Sequence, residues 1–300
     1  MNIKKSLPAL VFFCGILMFA FSNSTDNKVE DTFYHEVAIL KKAYPSVDFR
    51  IDYDEEIDDY LLVVTSYKQT NVLYWAGGLY LPKNQLANKE KYSEVFEHYS
   101  EKILDPKDLS EEQVEKIKNY SSKENRQSRV ASKFLFNAIF DAWTRRTTES
   151  HLARNRFLGK WQSVHAMLVP HLDEIERQIY ELAETDEEVA AFVKNLSSAD
   201  SYSWREIRDS GARSFHSYGT AVDILPYGWT RKITYWGFER GEGNQDWMLI
   251  PIEKRWMPPK KVVDIFLNEG FIWGGYWALW DNMHFDYRPE LVIFTRNKNQ

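Results

Sequence analysis

Two histidines and an aspartate in the C-terminal third of the chain have the residue types of a metal site. His216 and Asp223 lie in one short stretch, residues 213–225, and His284 lies in a second, residues 280–290. Two imidazoles and a carboxylate suit a catalytic zinc ion, which takes three protein ligands and leaves a fourth position for water. The sequence therefore favours a zinc site formed by these three side chains.

The residues around the three side chains predict a loop that runs into a strand, followed later by a second strand. Gly219 is a predicted turn residue, and residues 221–225 are apolar except at Asp223. An aspartate within an apolar strand is costly to bury unless its charge is paired. Residues 283–287 alternate in polarity, which is typical of a strand with one polar face.

Two further acids accompany His284. Asp281 precedes it by three residues, near enough to act on a metal-bound water, and Asp286 shares its face of the predicted strand. The competing interpretation is that each of these side chains is an ordinary core or surface residue. Spacing alone does not show that residues so far apart converge, so both interpretations stay open at the level of the motif.

Two motifs resemble those of a peptidase family. Residues 214–223, Ser-Phe-His-Ser-Tyr-Gly-Thr-Ala-Val-Asp, resemble the S-x-H-x-x-G-x-A-x-D signature of the VanY-type D-alanyl-D-alanine carboxypeptidases, zinc metallopeptidases of the LAS type that act on peptidoglycan. Residues 281–284, Asp-Asn-Met-His, are similar to that family's second motif, an acidic residue, two spacers and a histidine. The resemblance is specific over about residues 200–292, where the flanking segments resemble one exported branch, and looser over residues 30–200.

The resemblance implies a role for each motif residue. The three ligands named above would hold Zn²⁺, and Asp281 would be the general base that takes a proton from the metal-bound water. Arg205 resembles the family's upstream arginine, which steadies the carbonyl or a substrate carboxylate; an internal salt bridge is the alternative. Ser214 resembles a substrate-contacting serine, for which a turn residue is the alternative.

The chain departs from the family pattern at two acids. Asp281 stands where several branches have glutamate, so its reach to the water is shorter. Asp286 stands where related chains often have glutamate, and it is either a partner of a ligand histidine or a surface acid.

The fold expected from the residues and the resemblance is α+β: a small antiparallel sheet that carries the zinc site, with packed helices, preceded by a largely helical N-terminal region. The expected function is that of an exported zinc metallopeptidase that hydrolyses peptide bonds in peptidoglycan stem peptides, as a D-alanyl-D-alanine-type carboxypeptidase. LD-carboxypeptidase and endopeptidase activities fit the same motifs. The alternative is a catalytically silent peptidoglycan-binding module.

Composition narrows the function classes. The chain has 300 residues and a net charge of −6, and no basic patch with interleaved aromatic residues stands out, so we expect no nucleic-acid partner. Cys14 is the only cysteine. This count excludes a cysteine-ligated metal, a cysteine nucleophile and an internal disulfide.

The N-terminus has the pattern of a secretory signal peptide over residues 1–22. Lys4 and Lys5 precede an apolar run, residues 7–21, that is short for a spanning helix, and small residues follow at the cleavage position. We expect a periplasmic or cell-envelope protein with no stable membrane insertion after cleavage; an uncleaved anchor is the alternative. Residues 23–196 then form an N-terminal region of unknown role, and residues 197–300 form the catalytic domain.

Local patterns predict several elements. Residues 32–44 predict a helix that ends at Pro45, and residues 49–53 and 61–65 predict strands. Residues 131–196 are predicted to be mostly helical, with a capping box formed by Thr185 and Glu188. A last helix is predicted over residues 260–268, between Pro259 and Gly270.

Overall fold

Helices and short strands are mixed throughout the chain. The computed structural model describes residues 16–97, 99–207, 210 and 212–298. Among these residues the α-helices, α1 to α10 in chain order, are Ile16–Ala43, Glu111–Ser121, Lys123–Ser128, Phe134–Ile139, Arg145–Ser150, Val169–Ala183, Glu187–Lys194, Trp236–Gly241, Lys260–Asn268 and Pro289–Lys298. The strands, β1 to β11, are Asp48–Asp54, Asp59–Ser66, Gln69–Tyr74, Tyr92–Ser93, Val130–Ala131, Leu152–Phe157, Lys160–His165, Leu196–Asp200, Ala221–Pro226, Phe271–Trp273 and His284–Tyr287.

The sheet that carries Asp223 and His284 has four antiparallel strands in the order β10-β11-β9-β8. Phe285 of β11 lies opposite Val222 of β9; both are fully buried, and the Phe285 ring stacks on Phe266 of α9 with centroids 4.0 Å apart. Because strand side chains alternate, the neighbouring pair, Asp223 and His284, faces the other side. The apolar face thus packs against α9, and the polar face carries Asp223 and His284. The predicted α+β class is confirmed.

The N-terminal region packs onto this sheet. Strands β1 to β3 form an antiparallel sheet, and one apolar core extends from α1 to α10. At its centre the Tyr44 hydroxyl donates to Glu290 at 2.6 Å, and the buried Arg288 guanidinium pairs with the same carboxylate. Because the Arg288 and Glu290 charges are paired, they can be buried where the end of β11 lies against the end of α1. The boundary between residues 196 and 197 stays a prediction.

The prediction of a mostly helical segment over residues 131–196 is wrong for residues 152–165. These form the hairpin β6–β7, joined by a two-residue turn in which Leu158 and Gly159 have φ of +49° and +76°. Positive φ at both turn positions matches the twist of the two strands. Arg154 to Phe157 alternate between exposed and buried, so the period-two pattern, together with Gly159, was the available signal.

The predicted capping box at Thr185 and Glu188 is also wrong. Helix α7 is capped by Asp186, whose carboxylate accepts from the Val189 backbone N–H at 3.1 Å. Aspartate competes well with threonine at this position, and it moves the helix start by one residue.

Other local predictions are confirmed. Helix α1 ends at Ala43, before Pro45, and β1 and β2 include the two predicted strands. Helix α9 spans the predicted residues 260–268 and is followed by Gly270. Of the predicted signal peptide only residues 16–22 are described, as the beginning of α1, and residues 1–15 lie outside the described chain. In the described part, no helix combines the length and apolar character needed to cross a membrane.

Candidate metal centre

The structure brings His216, Asp223 and His284 together. His216 lies in a 3₁₀ turn, Phe215–Tyr218, while Asp223 and His284 face each other across β9 and β11. One ligand atom from each residue lies within 4.8 Å of the other two. The Asp223 carboxylate is 2.8 Å from His284 Nδ1 and 3.1 Å from His216 Nε2.

Hydrogen bonds on the far side of each ring decide which nitrogens face the centre. His216 Nδ1 lies 2.5 Å from the Ser201 carbonyl oxygen, which can only accept, so this nitrogen carries the proton. His284 Nε2 lies 2.8 Å from Asp286 Oδ1 and donates to it. His216 Nε2 and His284 Nδ1 are left to face each other at 3.2 Å. Tetrahedral zinc with Zn–N bonds of about 2.05 Å separates two nitrogen ligands by about 3.3 Å, so the arrangement fits this metal.

Asp223 and His284 stabilise each other's charged forms. Burial alone would raise the pKa of Asp223, but the neighbouring His216 and His284 hold it well below its usual range. Burial alone would lower the pKa of His284, but Asp286 and Asp223 hold it well above its usual value. Asp223 is therefore an anion that lies between two imidazole rings. Its negative charge would stabilise a bound cation.

A glycine and an arginine hold the turn that carries His216. Gly219 has φ of +71°, and a Cβ there would lie 2.8 Å from the His165 backbone nitrogen, which donates to the Gly219 carbonyl. Arg213 reaches back to the N-terminal region, where it donates to Asn137 Oδ1 at 2.7 Å and to Thr148 Oγ1 at 3.2 Å. The turn is thus held against two segments that precede it by more than fifty residues. Where it approaches His165 most closely, only glycine fits.

Asp281 lies beside the three ligands without joining them. Its backbone N–H donates to the Gly274 carbonyl at 3.0 Å, and a Cβ on Gly274 would lie 2.6 Å from the Asp281 carbonyl oxygen. Its Oδ1 is buried and has no hydrogen-bond partner in the described residues. Burial raises the pKa of Asp281 to about 8, although the nearby His284 opposes the shift. A carboxyl group whose pKa lies near neutral pH can both accept and return a proton.

Arg205 and Ser214 differ in their exposure and in the atoms that they contact. Ser214 is buried, and its hydroxyl accepts from the His216 backbone N–H at 3.3 Å, so it shapes the turn that carries the ligand. Arg205 is exposed; its backbone N–H donates to Ser217 Oγ at 3.0 Å. Contact of either side chain with substrate stays a prediction.

Sequence reasoning left Asp286 open and missed Asp200. Asp286 is 6 % exposed and bonded to His284, which resolves the alternatives in favour of a partner of the ligand. Asp200 lies opposite Asp223 in the β8–β9 register, so the two side chains share the face of the sheet that holds the site. The signal was an aspartate at the end of a short strand, but only the pairing register shows its neighbour.

Replacing Asp286 with asparagine is expected to weaken zinc binding roughly 10–100-fold, because loss of the partner carboxylate leaves His284 free to turn and less basic. Competition with a chromogenic chelator measures the affinity. Asp264→Asn, which removes an exposed carboxylate paired with Lys260, is the control and should bind zinc like the unmodified protein. Equal affinities in both variants would contradict the proposed role of Asp286.

Comparison with known proteins adds one informative match. Residues 208–287 match a family model described as D-alanyl-D-alanine carboxypeptidase, and residues 36–97 match a model described as a domain of unknown function. No curated protein and no solved structure matches the chain. The first match covers the three candidate ligands, Asp281 and Asp286 but not Arg205. It supports a peptidase of the D-alanyl-D-alanine carboxypeptidase kind.

Proposed function

We propose that this protein is an exported, zinc-dependent peptidase of the VanY type that removes the terminal D-alanine from peptidoglycan stem peptides. The observation that carries the proposal is the convergence of His216 Nε2, His284 Nδ1 and the Asp223 carboxylate, with the unpartnered Oδ1 of Asp281 nearby. All four residues lie in the segment that matches the carboxypeptidase family.

Each residue of the site has a separate role in hydrolysis. His216, Asp223 and His284 would hold a zinc ion, which would supply Lewis acidity and lower the pKa of a bound water to about 7. Asp281 accepts the proton of the attacking water as the carbonyl carbon is attacked. The same carboxyl group then donates that proton to the leaving amine as the C–N bond breaks. Asp286 and the Ser201 carbonyl keep the ligand rings in place throughout.

Two residues extend the proposal to the substrate. Arg205 is exposed, and its backbone N–H donates to Ser217, the residue after the ligand His216. We assign binding of a substrate carboxylate or of the reacting carbonyl to its guanidinium. Ser214 caps the turn that carries His216, and we propose that it also contacts the substrate.

Hydrolysis of a synthetic acyl-D-alanyl-D-alanine peptide tests the proposal. The protein should release D-alanine, lose this activity after chelation and recover it with added zinc. Release of D-alanine that a chelator does not affect would contradict zinc dependence. Binding of the peptide without any release of D-alanine would instead identify a catalytically silent peptidoglycan-binding module.

Export is a separate part of the proposal and rests on the charged and apolar pattern of residues 1–22. The chain recovered from the cell envelope should begin near Asn23, as read by N-terminal sequencing. A chain that begins at Met1 and stays with the membrane fraction would replace the cleaved signal with an anchor.

A further inference from the structure

Arg213 connects the N-terminal region to the candidate metal centre. Its terminal guanidinium nitrogens donate to Asn137 Oδ1 of α4 at 2.7 Å and to Thr148 Oγ1 of α5 at 3.2 Å, and one of them also donates to the Ala142 carbonyl. Helices α4 and α5 lie outside both segments that match family models. The contacts therefore tie residues 134–150, to which no match gives a role, to the turn that carries a metal ligand.

The same guanidinium also contacts the neighbours of Arg205. It donates to the Ser217 carbonyl at 3.2 Å. Ser217 is buried, and its hydroxyl accepts from the Arg205 backbone N–H at 3.0 Å and donates to the Arg205 carbonyl oxygen. The ring of Trp204, the residue before Arg205, lies 4.4 Å from the Arg213 guanidinium carbon. One side chain thus contacts both the residue that precedes Arg205 and the residue that holds its backbone.

The contacts of Arg213 are neutral and depend on the shape of its guanidinium. Among the described residues no carboxylate pairs with it, and the rings of Trp204 and Tyr218 lie 4.4 and 3.9 Å from its central carbon. Partial burial of a cation without a counter-ion is costly. The four hydrogen bonds described above use the two terminal nitrogens, an arrangement that the single amine of lysine does not reproduce. The distinguishing property of this cation is therefore that it joins four acceptors at once.

We propose that Arg213 is a positioning residue, through which α4 and α5 hold the Arg205 guanidinium where it binds the terminal carboxylate of the substrate. The inference rests on the proposed peptidase function, because a carboxypeptidase recognises the free carboxylate beside the bond that it cuts. A guanidinium binds a carboxylate through two parallel hydrogen bonds, so a small displacement of its backbone weakens that recognition. Residues 134–150 thereby contribute to substrate binding without contacting the substrate.

Two acylated peptides test the positioning role. One ends in D-alanyl-D-alanine with a free carboxylate, and the other is the same peptide with a terminal amide. Dissociation constants are measured by calorimetry with the zinc-loaded Asp281→Asn protein, in which turnover is slow. We expect the free acid to bind roughly 10–100-fold more tightly than the amide, as a hydrogen bond between charged groups allows. Arg205→Met in the same protein should remove this preference.

Variants of the connecting residues assign the preference to the contacts of Arg213. Arg213→Lys should remove most of the preference, although it keeps the positive charge. Asn137→Ala and Thr148→Val each remove one acceptor in the N-terminal region and should reduce the preference in the same direction. Arg213→Lys combined with Arg205→Met should cost no more than Arg205→Met alone, because both act on one contact.

The ratio of the two dissociation constants separates positioning from folding. A variant that is only partly folded loses binding sites for both peptides alike, so their ratio stays the same. Arg177→Lys is the matched control, because this exposed arginine bonds only Glu174 and Glu181 within α6, and it should keep the ratio.

The outcomes also separate the positioning role from the peptidase. An unchanged ratio in Arg213→Lys would overturn the positioning role, and so would equal weakening of both peptides. A preference for the free acid that Arg213→Lys removes supports the role even if the protein with Asp281 intact releases no D-alanine, and in that case the peptidase proposal fails alone. Release of D-alanine together with equal binding of acid and amide leaves the peptidase standing and overturns the inference.

Discussion

The Asp281→Asn variant is expected to hydrolyse a D-alanyl-D-alanine peptide roughly 10²–10⁴-fold more slowly than the unmodified protein, because general-base assistance is typically worth that factor. The substitution is nearly isosteric but removes the proton acceptor. Asp281 is not one of the three convergent ligands, so zinc content should be unchanged. Peptide affinity should also survive, because the three metal ligands remain.

Zinc content, peptide binding and turnover of both proteins decide the assignment of the base. Loss of zinc in the variant would make Asp281 a ligand and contradict the set formed by His216, Asp223 and His284. Full activity in the variant would transfer the proton role to another acid, such as Asp286. Equal peptide binding with no turnover by either protein would favour the binding module.

The His284→Ala variant should lose zinc and activity together. This ring supplies one of three ligands and is the contact through which Asp286 acts, so the loss of affinity should exceed the roughly 10–100-fold that follows removal of a partner alone. Elemental analysis after desalting gives the zinc content per chain. His171→Ala is the matched control, because that histidine bonds Glu269 and Tyr287 away from the cluster and its loss should leave zinc in place.

Loss of zinc should not unfold the protein. The site lies on a sheet whose opposite face is buried in a core that extends from α1 to α10, unlike a small domain that folds only around its metal. The far-ultraviolet circular dichroism of the His284→Ala protein should match that of the unmodified chain. A collapse of this spectrum would make the metal structural and contradict the catalytic interpretation.

The metal ligands were predictable because each lies in a local pattern with a physical meaning. Gly219 has the positive φ that the turn requires, Asp223 interrupts an apolar strand, and residues 283–287 alternate. These patterns fix which side chains share a face. Convergence of the two strands required the resemblance, since spacing does not give the register that pairs Asp223 with His284.

The supporting contacts were not predictable, because they join sequence-distant segments. The bond from His216 to the Ser201 carbonyl uses a backbone atom that no residue type identifies. The reach of Arg213 to Asn137 depends on where α4 packs. The hairpin β6–β7 was missed because an alternating strand pattern was interpreted as part of a helical segment.

Digestion of purified cell-wall muropeptides, with the products weighed by mass spectrometry, tests the central claim most directly. The protein lacking residues 1–22 and loaded with zinc should convert muropeptides that end in D-alanyl-D-alanine into products shorter by one alanine. The Asp281→Asn protein, loaded in the same way, should leave them nearly unchanged over the same time. Muropeptides that keep their full mass with the zinc-loaded, unmodified protein would contradict the account.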